Sequence, residues 1–318
     1  MFAKITGTGS CLPKKIVDNF ELAKTVDTSD EWIQTRTGIK ARHVAKEETV
    51  VSLSIAAAKD AIDDAGIKPE EIDMIIVSTV SSEQLLPCAA CEVQAAVGAG
   101  NAACFDLNSA CTGFITAYQM VAAQMKAGLI KTALIIGAEC LSNLMDWTDR
   151  GTCILFGDGA GAAIVQAKGE GDFQIPAKLH ANGSKGSVLT CNAGVGEQKA
   201  PYGSYVQMDG REIYKFAVKQ VPKIIEEVLD LVDMEAEQVD YFILHQANKR
   251  IISSIAKHMH QDVEKFPMNM MSYGNMSSAS IPVLLDELNK QGKLKPGMKL
   301  IMAGFGAGLT WGGCYLEW

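Results

Sequence analysis

The sequence predicts an α/β protein made of two copies of one unit, and three observations carry that reading. Short apolar, strand-like runs alternate with longer helix-like stretches, the order expected of βαβ units whose sheets are buried between helices. Landmarks also recur at a single offset. The shift that carries Asp73 onto Asp240, each at the head of an apolar run, also carries Asn108 onto Asn275, Lys126 onto Lys293, Leu134 onto Ile301 and Gly137 onto Gly304. Finally, 48% of the 318 residues are hydrophobic, enough to bury a substantial core.

In chain order, a Pro-Glu-Glu turn at 69–71 leads into a strand at 73–77. A strand-like run follows at 102–107, then an alanine-rich helix at 114–126. The second copy repeats the pattern, with Glu235-Ala236-Glu237 before a strand at 240–244 and a helical stretch at 281–288. Each half reads strand, helix, strand, helix, strand. The polar, glycine-rich stretch Lys168-Gly169-Glu170-Gly171-Asp172 divides them, giving halves 1–170 and 171–318. Residues 181–210, with Gly194, Gly196, Pro201 and Gly203, read as a loop long enough to serve binding.

Charge and composition narrow the function. The net charge is −8 and the pI about 5.2, without the basic footprint of a nucleic-acid binder. Nine scattered cysteines, an odd count and mostly within apolar segments, suit a reduced interior rather than a disulfide framework. Cys88 and Cys91 form a C-x-x-C with no second pair at metal-site spacing, so no zinc site is expected. No apolar run reaches the roughly 18 residues a membrane helix needs, and the first residues lack the apolar core of a signal peptide. A cytoplasmic protein is expected.

Cys111 stands between the strand-like run and the helix-like one. A thiol there meets the positive end of the helix dipole, which is expected to lower its pKa and favour the nucleophilic thiolate. The same offset carries Cys111 onto Ser278. Two related halves placed face to face bring equivalent loops to one cleft, so partners for Cys111 are sought in the second half. His245 ends the strand at 241–244, where ligands bind in α/β sheets, and suits proton chemistry or hydrogen bonding. Asn275 lies in the turn-rich Ser272-Tyr273-Gly274-Asn275-Met276-Ser277-Ser278 before a helix. Taken singly, a core cysteine, a capping histidine and a turn asparagine remain open readings. The glycine-rich runs 157–161 and 304–308 are followed by strand-like residues, so they read as tight turns rather than dinucleotide loops.

Together, Ala110-Cys111-Thr112-Gly113, His245-Gln246-Ala247-Asn248, Tyr273-Gly274-Asn275 and residues 304–311 resemble the β-ketoacyl-acyl carrier protein synthase III family, over nearly the whole chain. The resemblance implies a thiolase-like fold of five layers, αβαβα, and a decarboxylative Claisen condensation that initiates fatty acid synthesis. It implies Cys111 as acyl-accepting nucleophile, with His245 and Asn275 stabilising the enolate of malonyl-acyl carrier protein. Backbone N–H groups of Cys111 and Ala307 are implied as oxyanion donors; many relatives have glycine at the position of Ala307. CoA contacts fall on Thr28, Trp32, Arg36, Arg150 and Asn248. Carrier docking falls on Lys215, Gln246, Lys249, Arg250 and Lys257, of which the lysines and the arginine are locally basic in an acidic chain. Leu86, in Leu85-Leu86-Pro87-Cys88, matches a segment that reaches the partner subunit's acyl pocket in family homodimers. The resemblance implies no metal or redox cofactor, with an acyl-CoA, acetyl-CoA by default, as substrate.

From the residues alone, Thr28 and Glu31 stand at capping-box spacing, which places Trp32 and Arg36 on one helix face. Degradative thiolases carry a second catalytic cysteine in the C-terminal glycine-rich loop; residues 304–308 hold none. A Cys-His hydrolase and a non-catalytic carrier-binding protein are the readings from other classes.

Overall fold

The computed structural model describes residues 1–169, 172–192 and 205–318. The expected loop residues Gly194, Gly196, Pro201 and Gly203 lie outside the described residues, as do Glu170 and Gly171 of the expected boundary.

Chain order begins with β1 (Phe2–Cys11), α1 (Asp30–Thr37), α2 (Val50–Ala65), β2 (Met74–Ser78), α3 (Ala89–Val97) and β3 (Ala103–Leu107). It continues through α4 (Gly113–Lys126), β4 (Thr132–Glu139), β5 (Gly159–Lys168), β6 (Ala177–Ala181), α5 (Gly210–Leu231) and β7 (Tyr241–Leu244). The last elements are α6 (Lys249–His258), α7 (Ser280–Lys290), β8 (Lys299–Gly306) and β9 (Thr310–Glu317). Local chemistry explains the boundaries. Thr49 and Ser52 make a reciprocal capping box at the start of α2, and Gly66 ends it in the left-handed region at φ 63°.

Of the four sheets among the described residues, the five-stranded one runs β1-β5-β4-β2-β3 and the four-stranded one β6-β9-β8-β7, and the other two are two-stranded. β2 lies parallel to β3 and β4, and β7 parallel to β8, while β5 and β9 run antiparallel to their neighbours. The offset seen in the sequence survives in space: β4 and β8, α4 and α7, and the short turns Ala110–Thr112 and Ser277–Ala279 all correspond. One expectation fails. The counterpart of β3 in the second half is not a strand, because residues Met270–Tyr273 coil into a short helix. The second sheet therefore has four strands, and Asn275, just beyond that short helix, makes an isolated parallel bridge with Phe156.

Burial arranges these elements in five layers. α4 and α7 lie between the sheets: Phe114, Ile115, Ile281 and Leu284 share a core with Ile76 and Ile135 of one sheet and Ile243 and Met302 of the other. α2 and α3 cover the opposite face of the first sheet, against Ile75, Leu134 and Ile136. α5 and α6 cover the second, against Phe242 and Ile301. Because both faces of each sheet are covered, the strands read as continuous apolar runs; all eight residues of β4 are buried.

Candidate active site

The two inner helices are where the repeat acquires chemistry. Each begins after a tight turn whose first residue has positive φ, Ala110 at 45° in one half and Ser277 at 47° in the other. Such backbone costs about 1–3 kcal/mol for a residue with a Cβ, and it persists where packing dictates it. Glycines on the central strands make room for these turns. A Cβ at Gly137 would strike the backbone of Ser278. At the equivalent Gly304 it would meet His245 Cβ at 3.3 Å and Cys111 O at 3.7 Å. At Gly306 it would lie 2.8 Å from Cys111 N and 3.1 Å from Cys111 Cβ.

The turns face a cavity of about 570 Å³ whose lining includes Cys111, His245 and Asn275. The structure thus brings together the three residues singled out from separate segments. Phe305 also lines it, with its ring edge-on to the His245 imidazole at 5.5 Å.

Protonation at the centre follows from burial. Desolvation pushes the Cys111 thiol up to about 12; a hydrogen bond with Ser277 favours the thiolate, and the nearby Glu139 disfavours it. This corrects the expectation of a lowered pKa. A helix dipole is worth at most about 2 kcal/mol, and here the loss of hydration on burial outweighs it and disfavours the charged form. Burial alone holds His245 down at about 3, so its imidazole is neutral. The resting pair is a thiol and a neutral imidazole, not an ion pair.

Hydrogen bonds aim the donors. Nδ1 of His245 meets Ser280 Oγ at 2.7 Å, and that oxygen accepts the Gln246 N–H at 3.3 Å. When the Ser280 hydroxyl donates to Nδ1, the imidazole proton sits on Nε2, the tautomer that offers an N–H donor to an oxygen in the cavity. Asn275 Oδ1 accepts the Ser277 backbone N–H at 2.9 Å, which fixes the amide and leaves Nδ2 as its free donor. The cavity therefore holds a nucleophilic sulfur and two neutral hydrogen-bond donors, the equipment for charge developing on an oxygen.

Arg36 and Asn248 also line the cavity. The Arg36 guanidinium stacks 4.6 Å from the Trp32 ring, as the one-turn spacing predicts, and Arg150 approaches the same ring to 5.1 Å. Arg150 donates to Asp27 O at 2.7 Å. The cap of α1 is Ser29 rather than Thr28: Ser29 Oγ accepts the Trp32 N–H at 3.1 Å, so the helix starts one residue later than the spacing of Thr28 and Glu31 suggests. Thr28 Oγ1 is instead buried without a hydrogen-bond partner. Thr28, Trp32 and Arg150 are not among the cavity's lining residues. Asn248 caps α6, accepting the Arg250 N–H at 2.8 Å and donating to Arg36 O at 3.1 Å.

Of the expected docking residues, Lys215, Lys249, Arg250 and Lys257 are exposed on α5 and α6. Lys215 pairs with Glu212 at 2.7 Å and Arg250 lies 5.6 Å over the Tyr214 ring. Gln246 is a correction. It is completely buried, donates to Leu244 O at 2.7 Å and accepts the Asn269 N–H at 3.0 Å, so a docked protein cannot touch it. Leu86 is 86% exposed and outside the cavity. Ala307 is not among the non-glycine residues with positive φ, so alanine is unstrained there.

Three residues escaped the sequence. Ser280 and Gly306 gave no signal beyond their neighbourhoods. Glu139 gave one, a carboxylate ending an otherwise apolar strand; it is wholly buried and accepts from Ser81 Oγ at 2.6 Å, Val80 N at 3.1 Å and Ser278 Oγ at 3.0 Å.

Comparison with known proteins shows the family to which the chain belongs. Two family models, both described as 3-oxoacyl-(acyl-carrier-protein) synthase III, match residues 105–183 and, for its C-terminal part, 229–318. A beta-ketoacyl-(acyl-carrier-protein) synthase III of Clostridium acetobutylicum is 48% identical over 99% of this chain and 98% of its own length. The crystal structure of the Aquifex aeolicus synthase III superposes with a TM-score of 0.93 at 43% identity, covering 99% of this chain and 100% of that one. That from Thermus thermophilus gives 0.94 at 36% identity, covering 99% of each chain. The chain belongs to the beta-ketoacyl-(acyl-carrier-protein) synthase III family.

Proposed function

We propose that the protein condenses a short acyl-CoA, acetyl-CoA by default, with malonyl-acyl carrier protein, and so begins a fatty acid chain. The observation that carries the reading is the convergence of Cys111, His245 and Asn275 on one cavity.

In the first half-reaction the Cys111 sulfur attacks the thioester carbonyl, and backbone N–H groups of Cys111 and Ala307 hold the oxyanion. Such a donor is typically worth about 3–4 kcal/mol in the transition state. The thiol proton ends on the departing CoA sulfur, so a buried, protonated Cys111 exchanges one thioester for another without net proton release. In the second, His245 Nε2–H and Asn275 Nδ2–H donate to the malonyl thioester oxygen. Carbon dioxide leaves, and the enolate carbon attacks the acyl-cysteine. Cys111 departs as thiolate and recovers one proton. Neutral donors serve this step, because burial already keeps His245 uncharged.

Thr28, Trp32, Arg36, Arg150 and Asn248 are proposed to hold CoA. Arg150 must leave its place 5.1 Å from the Trp32 ring for an adenine to enter between them. Lys215, Lys249, Arg250 and Lys257 offer the acidic carrier a basic face. Exposed Leu85 and Leu86, at 75% and 86%, favour a homodimer in which Leu86 enters the partner subunit's acyl pocket. The halves 1–170 and 171–318 and a cytoplasmic location complete the reading. Among the described residues no helix is long and apolar enough to cross a membrane.

The test separates the half-reactions. His245→Ala and Asn275→Ala should abolish release of carbon dioxide from malonyl-carrier protein while leaving transfer of acetyl groups to Cys111 largely intact. Loss of acetyl transfer with decarboxylation preserved would overturn these roles.

A further inference from the structure

A second set of nucleophilic side chains lies away from the cavity. Cys88 is the N-cap of α3 and Cys91 follows one turn later, with their sulfurs 3.4 Å apart. Cys91 also hydrogen-bonds Cys104 on β3, and the Cys104 thiol donates to Ala102 O at 3.4 Å. Cys91 is exposed, and Cys88 and Cys104 are half-buried. Among the described residues these thiols gather with no acid or histidine into a metal-ligand group.

The α3 N-terminus does not make a thiolate of either cysteine. The Asp106 carboxylate takes the Ala89 and Ala90 N–H groups, both at 2.8 Å, and so occupies the positive end of the helix. The hydrogen bond with Cys88 holds the Cys91 thiol above its usual range, and desolvation adds to it. Burial pushes Cys104 up to about 11. The resting state is a pair of thiols in contact, one open to solvent.

We propose that Cys88 and Cys91 are a reversible redox couple that closes an intrachain disulfide across the first turn of α3. A disulfide bond is about 2.05 Å long, so the sulfurs need approach by only about 1.4 Å, within the reach of a side-chain rotation. With excess peroxide as oxidant, the small thiolate fraction of the exposed Cys91 takes one peroxide oxygen to become a sulfenic acid, and the departing hydroxide takes up the thiol proton as water. The Cys88 sulfur then attacks that sulfur and a second water leaves. Two thiols and one hydrogen peroxide thus become one disulfide and two waters. A small dithiol reverses the reaction by exchange. A thiol pair that gains nothing from the helix dipole has no stabilised thiolate to favour its reduced form, unlike strongly oxidising C-x-x-C sites.

Cys88 directly follows Leu85-Leu86-Pro87. On the proposed reading of Leu86 as part of the partner's acyl pocket, the disulfide fixes the root of that loop and changes which acyl groups fit.

The test treats the purified full chain with graded hydrogen peroxide, alkylates the remaining thiols and cleaves after glutamate. Cleavage after Glu83 and Glu92 releases residues 84–92, which contain Cys88 and Cys91 alone. The expected peptide is two hydrogens lighter, resists alkylation and recovers on adding dithiothreitol. Cys88→Ser should leave Cys91 to oxidise further. A peptide still alkylated at both positions while Cys111 is oxidised would overturn the couple, and so would one joined to Cys104. A second readout is the ratio of kcat/KM for acetyl-CoA over a branched five-carbon acyl-CoA, expected to shift at least twofold on oxidation in wild type and not in Cys88→Ser. If the disulfide forms and the ratio stays constant, the couple stands and its link to the acyl pocket fails.

Discussion

Replacing Gly306 with alanine tests how closely the account depends on the contact between β8 and the Cys111 turn. The new methyl carbon would sit 2.8 Å from Cys111 N and 3.1 Å from Cys111 Cβ, where ordinary contact begins at 3.4 Å. The shortfall is therefore about 0.6 and 0.3 Å, against backbone and the root of the nucleophile rather than a movable side-chain tip. Gly306 has no positive φ, so the substitution acts through packing alone. Overpacking of this kind costs typically about 1–3 kcal/mol. The turn is already held at positive φ by Ala110, and relief must come from moving Cys111 by roughly half an ångström. A misplacement of about 1 Å can cost on the order of a hundredfold in rate, so a loss of roughly tenfold is expected here. The assay is single-turnover acetyl transfer to Cys111, followed by intact mass, beside a thermal melt. Gly304→Ala is the internal comparison, with nearest contacts of 3.3 and 3.4 Å, and should be milder in both readouts. If Gly306→Ala melted and acylated like wild type while Gly304→Ala did not, the packing argument would be wrong.

Other outcomes follow from the same geometry. Ser280→Ala removes the partner of His245 Nδ1 and the acceptor of Gln246 N–H. Decarboxylation should fall about three- to tenfold, for a hydrogen bond worth about 0.5–1.5 kcal/mol, while acetyl transfer to Cys111 holds, and Ser280→Thr should recover part of the loss. His245 sits near pKa 3 in the folded chain against 6.5 unfolded, so the unfolded state binds the extra proton. Stability from this group is therefore complete above pH 6.5 and is lost as pH falls toward 3, by up to about 1.4 kcal/mol per pH unit; denaturant titrations of His245→Asn should show a shallower acid slope than wild type. Trp32→Ala should raise KM for acetyl-CoA about tenfold with kcat little changed, as expected for loss of one base-stacking surface of about 1–3 kcal/mol.

Much of the fold was legible because repetition leaves a signature that propensity does not. One offset joined Asp73 to Asp240 and Gly137 to Gly304, and the same offset superposes strands, inner helices and the two strained turns. Where the halves diverge, the offset misleads: residues 270–273 coil into a helix where the first half has a strand, and Asn275 beyond them bridges to Phe156 instead. Cys111, His245 and Asn275 were visible because each ends or follows an element whose partner pattern lies in the other half. The charge state of Cys111 was not, because a local dipole can be read from a sequence whereas desolvation under a close-packed strand of the opposite half, where Gly306 lies against Cys111, cannot. Gln246, which the resemblance implied as a docking residue, is a different case: its amide is spent on the backbone of Leu244 and Asn269, a tertiary contact that no motif displays.

The most direct test of the central claim is intact-protein mass spectrometry of wild type and Cys111→Ala after exposure to acetyl-CoA, followed by addition of malonyl-acyl carrier protein. One acetyl adduct is expected on wild type alone, discharged into acetoacetyl-carrier protein. An adduct of equal size on Cys111→Ala, or one on wild type that is lost only to water, would contradict it.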